Sequence, residues 1–336
     1  MRIFPQIFNA VLMLLLYSSH ANAQWHQHSF KVMGTQAHVE FWLPTPVAKS
    51  GSQTTEQASA DSISAAVENE MRRIDREMSP YKPESELSKV NRLAPKGPLK
   101  ISSELFDLLT KAEEISQQSN GAFDLTYASV GYHYDYRLRQ KPDQQTIEQS
   151  LSAIDHTGIV LNKTEQTIFF KHPKIKIDLG GIAKGYAVKN CLAILASAGI
   201  KHALVSAGGD TGLLGDRNGR PWLVGIKHPR ANDKTAVHLP LSDEAISTSG
   251  DYERYFIEDE VRYHHIINPK TGKSAQQVVS VSVIGQDPTY VDALSTTLFV
   301  LGLEQGMAFI NNLPNYEAII IDNQHKLHFS LGLQQN

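Results

Sequence analysis

One stretch of the sequence places an acid, two glycines and a lysine where a predicted strand gives way to a predicted helix. Within 174–187, isoleucines alternate with lysines up to Asp178, a spacing typical of a strand. Gly180 and Gly181 then allow the backbone to turn tightly or to approach a ligand. Lys184 lies one turn into the apolar helical pattern that follows. Free amides at the positive end of a helix suit a phosphate, although many such turns only connect two elements.

Two oxygen-bearing side chains lie one turn apart in another predicted helix, 291–301. Asp292 and Thr296 occupy positions i and i+4, so they project from the same helix face. Mg²⁺ prefers oxygen ligands and takes few of them from the protein. The pair is therefore a candidate magnesium site. The alternative is an acid that faces the helix dipole and a threonine that bonds back to a carbonyl.

Two adjacent histidines, His264 and His265, precede a predicted turn at 268–272. Neighbouring side chains of a strand face opposite sides, so at most one of the two points into a given site. The H-x-x-x-H and H-E-x-x-H spacings of zinc enzymes are absent from the sequence. The pattern argues against a paired-histidine zinc site. It leaves one histidine as a base or as an ordinary hydrogen-bonded residue.

Further acids and aromatic residues occur at turns elsewhere in the chain. Asp124 and Asp210 lie at glycine-rich or strand-to-helix turns, where an acid commonly caps a helix or bonds nearby amides. Tyr81 and Phe123 could stack on a planar ring, although aromatic residues beside turns more often belong to the edge of the core. Each of these residues alone is a weak indication of a site.

The composition is that of a folded protein with no feature of a nucleic-acid-binding chain. The 336 residues are 41% hydrophobic and 20% charged, and the formal net charge is −3 at pH 7. This length is enough for one large domain or two smaller ones with a substantial core. Because the net charge is near neutral, nothing in it favours binding to nucleic acid.

The first 23 residues read as a signal peptide. Arg2 supplies a positive charge, residues 11–17 form a short apolar run, and residues 21–23 (A-N-A) match the A-x-A cleavage pattern. We predict a mature chain that begins at Gln24, with an uncleaved anchor as the alternative. The only cysteine, Cys191, rules out an intramolecular disulfide and a lipid-anchoring cysteine at the cleavage site. The expectation is a soluble exported protein without a stable membrane anchor.

Short predicted strands outnumber predicted helices in the rest of the sequence. Residues 29–43 read as two strands around a turn at Met33, and three short strands are predicted between Ile159 and Asp178. The helix 291–301 is expected to stop at Gly302. Many hairpin-type strands with interspersed helices predict an α+β fold with mainly antiparallel sheets. We predict a single catalytic unit over 24–336 and leave open whether it has two subdomains.

Seven segments, taken together and in order, closely resemble the FAD:protein FMN transferases, the ApbE-like flavin transferases of bacterial periplasms. The resemblance runs from Met33 to Gly302. The segments are S-P-Y-K-P-E-S-E-L-S, G-A-F-D-L-T, I-D-L-G-G-I-A-K-G-Y-A, S-A-G-G-D, S-T-S-G-D-Y, H-H-I-I-N-P-K-T-G and V-D-A-L-S-T-T-L-F-V-L-G. Each is weak alone, whereas the ordered set is a strong indication. The resemblance implies an ApbE-like, T-fold-related architecture.

The resemblance also implies a reaction and a set of site residues. The FMN half of FAD, the substrate, would move onto a threonine or serine hydroxyl of an exported acceptor protein, with release of AMP. His265 would be the catalytic base. Mg²⁺ would be held by Asp292, Thr296 and the backbone carbonyl of Gly181. The FAD site would comprise Met33, Tyr81, Ala122, Phe123, Asp124, Asp178, Lys184 and Ile266.

Two departures from the family pattern and two other functions also follow from the sequence. The family commonly has Asp where this chain has Asn268, which removes a charge from the turn. Many relatives are lipoproteins, whereas this chain lacks the necessary cysteine, so soluble release into the periplasm is expected. An FAD pyrophosphatase would use the same site with water as acceptor. A periplasmic flavin-binding or solute-binding protein is the non-enzymatic alternative, and it would not need the Asp292–Thr296 pair. The implied acceptor is a subunit of a membrane redox complex or a periplasmic flavin-dependent reductase.

Overall fold

The computed structural model describes residues 24–43, 53–231 and 234–334, with the side chains of 53–58 left out. The predicted signal peptide, 1–23, therefore lies outside the described residues. The helices are α1 Gln53–Met78, α2 Glu86–Leu93, α3 Ser103–Gln118, α4 Ala128–Gly131, α5 Gln144–Leu151, α6 Ala183–Ser197 and α7 Pro288–Ile310. The first strands are β1 Gln24–Val32, β2 Thr35–Leu43, β3 Leu99–Lys100, β4 Ile159–Asn162, β5 Thr167–Phe170, β6 Ala203–Ala207, β7 Asp210–Leu214, β8 Trp222–Lys227 and β9 Thr235–Leu241. The remaining strands are β10 Ala245–Gly250, β11 Tyr255–Glu258, β12 Val261–His264, β13 Ile267–Asn268, β14 Lys273–Ser274, β15 Val278–Gly285, β16 Tyr316–Asp322 and β17 Leu327–Phe329.

An eight-stranded sheet forms the centre of the fold. Its strands lie in the order β1-β2-β6-β7-β10-β15-β16-β17, and every strand pair in the described part of the chain is antiparallel. The first hairpin turns through Met33 (φ 52°) and Gly34 (φ 72°), as two-residue hairpin loops require. The predicted α+β architecture with mainly antiparallel sheets is confirmed.

Side chains alternate between the two faces of this sheet. On one face, Val281 and Ile320 pack with residues of α7, and Gly212 faces α6. On the other face, Ile284 and Ile319 pack with the β8–β9 hairpin. Alternate burial of this kind follows from the two-residue period of a strand. The sheet is thus covered by helices on one side and by a hairpin on the other.

Helix α7 is apolar because it lies inside the fold. Among the described residues, it is the one helix long and apolar enough to cross a membrane by length and composition, and most of it is buried against the sheet. The sequence predicts an end at Gly302, where the backbone does leave the helical region (φ 76°, ψ −173°). The chain then resumes helical geometry up to Ile310. A glycine is needed there, because a side chain is strained at this positive φ.

Candidate functional site

The segment that leads to Asp178 is held by side chains rather than by a strand ladder. Alternation predicts a strand over 174–177, and this prediction is wrong because the segment pairs with no strand in the residues that the structure describes. Instead, the Ile177 amide donates to Asn91 Oδ1 (2.8 Å), and Asn91 Nδ2 donates back to the Ile177 carbonyl (2.9 Å). The Lys176 amide donates to Ser129 Oγ (3.0 Å). The backbone is therefore extended and satisfied without a neighbouring strand.

Asp178 organises the turn that follows. Its Oδ1 accepts a hydrogen bond from the Gly180 amide (2.6 Å), and the Tyr132 hydroxyl lies 3.4 Å from Oδ2. Burial raises the pKa of Asp178, and the positive charge of Arg254 opposes part of that shift. Asp178 thus holds the Gly180–Gly181 turn by a hydrogen bond. The chain then enters α6, where Lys184 is the second residue.

Gly185 lets α6 and α7 approach at the site. A Cβ at this position would lie 2.1 Å from the Pro288 carbonyl oxygen and 2.7 Å from Asp292 Cβ. The Gly185 amide donates to Asp292 Oδ2 at 2.9 Å. Asp292 is therefore bound by the first turn of the facing helix, while Asp287 caps α7 itself. This contact differs from the alternative of an acid that only faces its own helix dipole.

Lys184 lies between two buried carboxylates. Its Nζ is 2.6 Å from Asp210 Oδ2 and 3.4 Å from Asp292 Oδ1. Burial lowers the pKa of Lys184, but the two acids more than offset burial, and the net shift is upward. Burial, with repulsion from Asp210, raises the pKa of Asp292 to about 7. Burial and Asp210 thus disfavour the charged form of Asp292, and a further cation at this point would stabilise that charged form.

Of the three predicted metal ligands, Gly181 and Thr296 are neighbours, and Asp292 lies one helical turn away on the same face of α7. A Cβ at Gly181 would lie 3.2 Å from Thr296 Oγ1, so the glycine turn and the middle of α7 are in contact. Ser295 and Thr297 bond back to carbonyls of their own helix. Thr296 Oγ1 has Ser249 Oγ, at 3.3 Å, as its one hydrogen-bond partner among the described residues. A carboxylate, a hydroxyl and a carbonyl are the donors that a hard cation prefers. The residues therefore fit Mg²⁺. In the described ranges, no three His, Cys, Asp or Glu side chains group together as a metal centre, so such a site would depend on the hydroxyl and carbonyl oxygens.

The two adjacent histidines occupy different environments. His264 is buried, with Nε2 on the Ala275 carbonyl (2.6 Å) and Nδ1 on the Ile266 amide (3.3 Å). His265 lies between β12 and β13, and its buried Nδ1 has no partner in the described residues. Burial, together with the positive charge of Arg254, lowers the pKa of His265 to about 3. His265 is therefore a neutral imidazole with a free nitrogen.

The predicted flavin-binding residues are spread around this cluster. Phe123 reaches it directly, since a Cβ at Gly181 would lie 3.3 Å from Phe123 Cε2. Tyr81 is 78% exposed on the turn after α1. The Met33 turn lies against Arg254, because a Cβ on the adjoining Gly34 would be 3.1 Å from that guanidinium. Two more predicted contacts, Ala122 and Ile266, are buried beside this part of the fold. Their contact with a flavin stays a prediction.

Asp124 has a structural role. Its Oδ1 accepts from the amide and the hydroxyl of Thr126 (2.7 and 2.6 Å), and its Oδ2 accepts from the His156 amide (3.0 Å). Both oxygens are thus engaged by protein, as in a helix cap. A capping role was the alternative to a binding role for Asp124 in the sequence. A direct bond from Asp124 to FAD stays a prediction.

Arg254, Asp210 and Ser247 lie near the site but were not assigned to it from sequence. Arg254 is exposed, and its charge acts on both His265 and Asp178. Asp210 holds Lys184 and accepts from the Ser247 hydroxyl (2.5 Å). Asp210 lies in S-A-G-G-D and Ser247 in S-T-S-G-D-Y, two of the seven segments that resemble the family. Arg254 lies two residues beyond S-T-S-G-D-Y, so its nearness to that segment was the only signal in the sequence.

The lowered pKa of His265 predicts an acid-sensitive fold. Between pH 6.5 and about 3, the unfolded chain binds a proton at this position that the folded chain does not. Stability contributed by neutral His265 should therefore be lost as pH falls through this window. We expect His265→Gln to lose less thermal stability than the wild type between pH 7.5 and pH 4.5. The measurement is thermal unfolding at both pH values, and parallel losses for the two proteins would contradict the assignment.

Comparison with known proteins gives the same assignment over most of the chain. The model of the ApbE family matches residues 33–320. A FAD:protein FMN transferase of Vibrio cholerae serotype O1 is 30% identical over 329 residues, which cover 95% of this chain and 94% of the relative. Another from Haemophilus influenzae is 30% identical over 308 residues, or 88% of this chain and 86% of the relative.

Solved structures agree with the sequence comparisons. The crystal structure of the ApbE protein of Thermotoga maritima matches with a TM-score of 0.82 at 29% identity, covering 93% of this chain and 99% of that chain. The flavin transferase ApbE from Vibrio cholerae matches with a TM-score of 0.79 at 26% identity, with the same coverage. The chain therefore belongs to the ApbE family, the family of FAD:protein FMN transferases that its motifs resemble.

Proposed function

We propose that this chain transfers the FMN moiety of FAD to a threonine or serine hydroxyl of an acceptor protein, with Mg²⁺ required and AMP released. The observation that carries the proposal is the close approach of Gly181 to Thr296 and Phe123, with Asp292 one turn away on the same face of α7 and bonded to the Gly185 amide. Simple flavin binding has no need of a hard-cation site, whereas transfer of a phosphoryl-linked group does. Family membership and the relatives' names support the same reaction.

The metal ligands would be Asp292, Thr296 and the Gly181 carbonyl. Mg²⁺ bound there would polarise the diphosphate of FAD and neutralise charge on the departing AMP. The chain prepares this position with the buried Asp292, whose charged form is disfavoured by burial and Asp210 and would be stabilised by a bound cation. Asp210 holds that lysine on its other side and keeps it charged. These residues together place fixed charge where the diphosphate must bind.

His265 is the residue that takes the proton from the acceptor hydroxyl. Its ring is neutral at working pH, and one of its nitrogens has no partner in the described part of the chain. His264 cannot serve this role, because backbone groups use both of its nitrogens. Once the hydroxyl loses its proton, its oxygen bonds to the phosphorus of the FMN half, and the bond to the AMP phosphate breaks.

Tyr81 is proposed to stack on the flavin ring, and we predict that Tyr81→Ala weakens FAD binding. An aromatic side chain that is 78% exposed contributes little to the fold. Loss of base–aromatic stacking elsewhere corresponds to roughly 5- to 100-fold in affinity. FAD titration by fluorescence measures the effect, and the melting temperature should not change. Leu223→Ala, which removes a similarly exposed side chain on β8, is the control. Equal FAD affinity in both variants would place the ring elsewhere.

One labelling assay tests the proposed reaction. The purified protein is mixed with FAD, Mg²⁺ and a candidate acceptor domain, and the products are examined for in-gel flavin fluorescence and for AMP. Labelled acceptor and AMP in equal amounts would support transfer. Free FMN and AMP without labelled acceptor would indicate an FAD pyrophosphatase. Bound FAD without either product would indicate a flavin-binding protein.

The proposal also extends to export. Residues 1–23 have the features of a signal peptide, so we predict a mature periplasmic protein that begins at Gln24. The acceptor would then be an exported subunit of a membrane redox complex or a periplasmic reductase. Intact-mass measurement of periplasmic extract checks the prediction. A mass that includes residues 1–23, or one that includes a lipid, would overturn it.

A further inference from the structure

The hairpin β11–β12 is a two-stranded sheet that leads directly into His265. Tyr255 lies opposite His264 in the register, and beyond them the His265 amide donates to the Arg254 carbonyl at 3.1 Å. Antiparallel pairs alternate between hydrogen-bonded and non-bonded. Because Arg254–His265 is a bonded pair, the N–H and C=O groups of Tyr255 and Ile257 point away from β12.

The two outer edges of this hairpin differ. On the β12 edge, Ser274 Oγ donates to the His264 carbonyl (2.6 Å) and Gln276 Nε2 donates to the Arg262 carbonyl (2.9 Å). On the β11 edge, the backbone groups of Tyr255 and Ile257 have no hydrogen-bond partner in the ranges that the structure describes. Their side chains are also open, at 40% and 55% exposure. An apolar strand edge of this kind is a template for another strand.

We propose that the open β11 edge binds an extended segment of the acceptor protein as an added strand, next to the hydroxyl that receives FMN. The inference rests on the proposed function, which requires an acceptor polypeptide at His265. The strand reaches that residue without a break, since Arg254 ends the edge and bonds His265. Main-chain hydrogen bonds to Tyr255 and Ile257 would supply affinity. Apolar side chains at alternate positions of the acceptor segment would cover the exposed side chains of these two residues.

The far end of the edge specifies the charge of the partner. The hairpin turns through Asp259 and Glu260, both exposed and both at positive φ. Glu258 is already paired with Lys141, whereas the two turn acids have no ion-pair partner in the described residues. Arg254 and Asp259 are separated by about 16 Å of strand. The acceptor segment should therefore carry a lysine or arginine about five residues from the flavinylated hydroxyl.

Hydrogen exchange tests the added strand directly. The probe is the periplasmic flavin-accepting domain of a membrane redox complex, with alanine in place of its acceptor residue so that the complex does not turn over. With FAD and Mg²⁺ present, this domain should slow exchange of the Tyr255 and Ile257 amides at least tenfold. Unchanged exchange with the domain bound would overturn the inference. Protection in the enzyme alone, rising with enzyme concentration, would show a contact between two copies and would also overturn it.

Kinetics with the unmodified acceptor domain give a second test. Ile257→Pro removes the outward N–H and should raise KM for the acceptor about tenfold, with kcat and FAD affinity within twofold of wild type. Ile257→Val keeps the N–H and is the matched control. The double variant Asp259→Asn with Glu260→Gln keeps the size of both side chains and removes their charge. It should raise KM for the acceptor at low salt, and KM should equal the wild-type value at high salt. If Ile257→Pro fails to fold, this pair carries the test.

The outcomes separate the two proposals. If the wild type labels the acceptor and both sets of variants have the wild-type KM for the acceptor, the β11 edge is not the docking site. The transferase function would still stand. If the wild type releases FMN and AMP but labels no acceptor, the proposed function fails and the docking inference fails with it.

Discussion

Asp292→Asn is expected to reduce metal-dependent transfer roughly 10³-fold while FAD still binds. Asparagine keeps the shape of the side chain but removes the charge that a hard cation most needs. A metal that polarises a phosphoryl oxygen contributes several kcal/mol to the transition state, which sets the size of the loss. Asp292 is placed for this role by the Gly185 amide, which binds one oxygen and leaves the other near Lys184. Labelling rate and FAD titration are measured on the same preparation.

Asp287→Asn is the matched control for Asp292→Asn. Asp287 caps the same helix and pairs with Lys189, yet it lies outside the ligand set. Its replacement should leave transfer within about twofold, since surface ion pairs contribute little. EDTA should abolish wild-type transfer, and Mn²⁺ should restore it better than Zn²⁺ because all the proposed ligands are oxygens. Transfer that survives both EDTA and Asp292→Asn would mean that the acid only joins the two helices.

The second large effect is expected at His265. His265→Ala should slow transfer by about 10²- to 10⁴-fold, the usual contribution of a general base, with FAD affinity largely kept. Its folded pKa of about 3 also means that transfer should show no titration of this group near pH 6.5. The measurement is the labelling rate at saturating FAD and acceptor between pH 5 and pH 8. Near-wild-type labelling by the variant would remove His265 from the reaction.

His264→Ala separates structure from chemistry at this pair. His264 bonds the Ala275 carbonyl and the Ile266 amide, so its loss leaves two backbone groups unsatisfied. We expect a lower melting temperature, because each such group costs about 1–3 kcal/mol. The fraction that stays folded should still transfer FMN. Equal loss of transfer in both histidine variants, at equal folded fraction, would contradict this division of roles.

The sequence supplied the fold class and a predicted ligand set, but not the contacts that surround those residues. The antiparallel strands follow from short strands joined by turns, and the buried faces of the helices follow from the apolar period. The segment 174–177 shows the limit of that approach. Its alternating burial is that of a strand, but its hydrogen bonds go to Asn91 and Ser129, which lie far away in sequence. Periodicity reports which side chains are buried and not which groups bond the backbone.

The same limit applies inside the site. Strand geometry indicated that His264 and His265 face opposite sides, but only the fold shows which one keeps a free nitrogen. The pairing of Lys184 with Asp210 depends on helix α6 crossing the sheet at β7, which no local pattern specifies. Arg254 carries no signal in its own segment, because an exposed arginine looks the same in any loop.

Gly185 ties the stability of the fold to the geometry of the site, with a consequence for engineering. Any side chain there must push α7 away from α6, since its Cβ would overlap the Pro288 carbonyl. The same movement would carry Asp292 and Thr296 away from Gly181. Mutational libraries should therefore return glycine alone at position 185. Compensating substitutions elsewhere could restore the helix spacing only by rebuilding the site, so protein engineers should treat these two helices as a single unit.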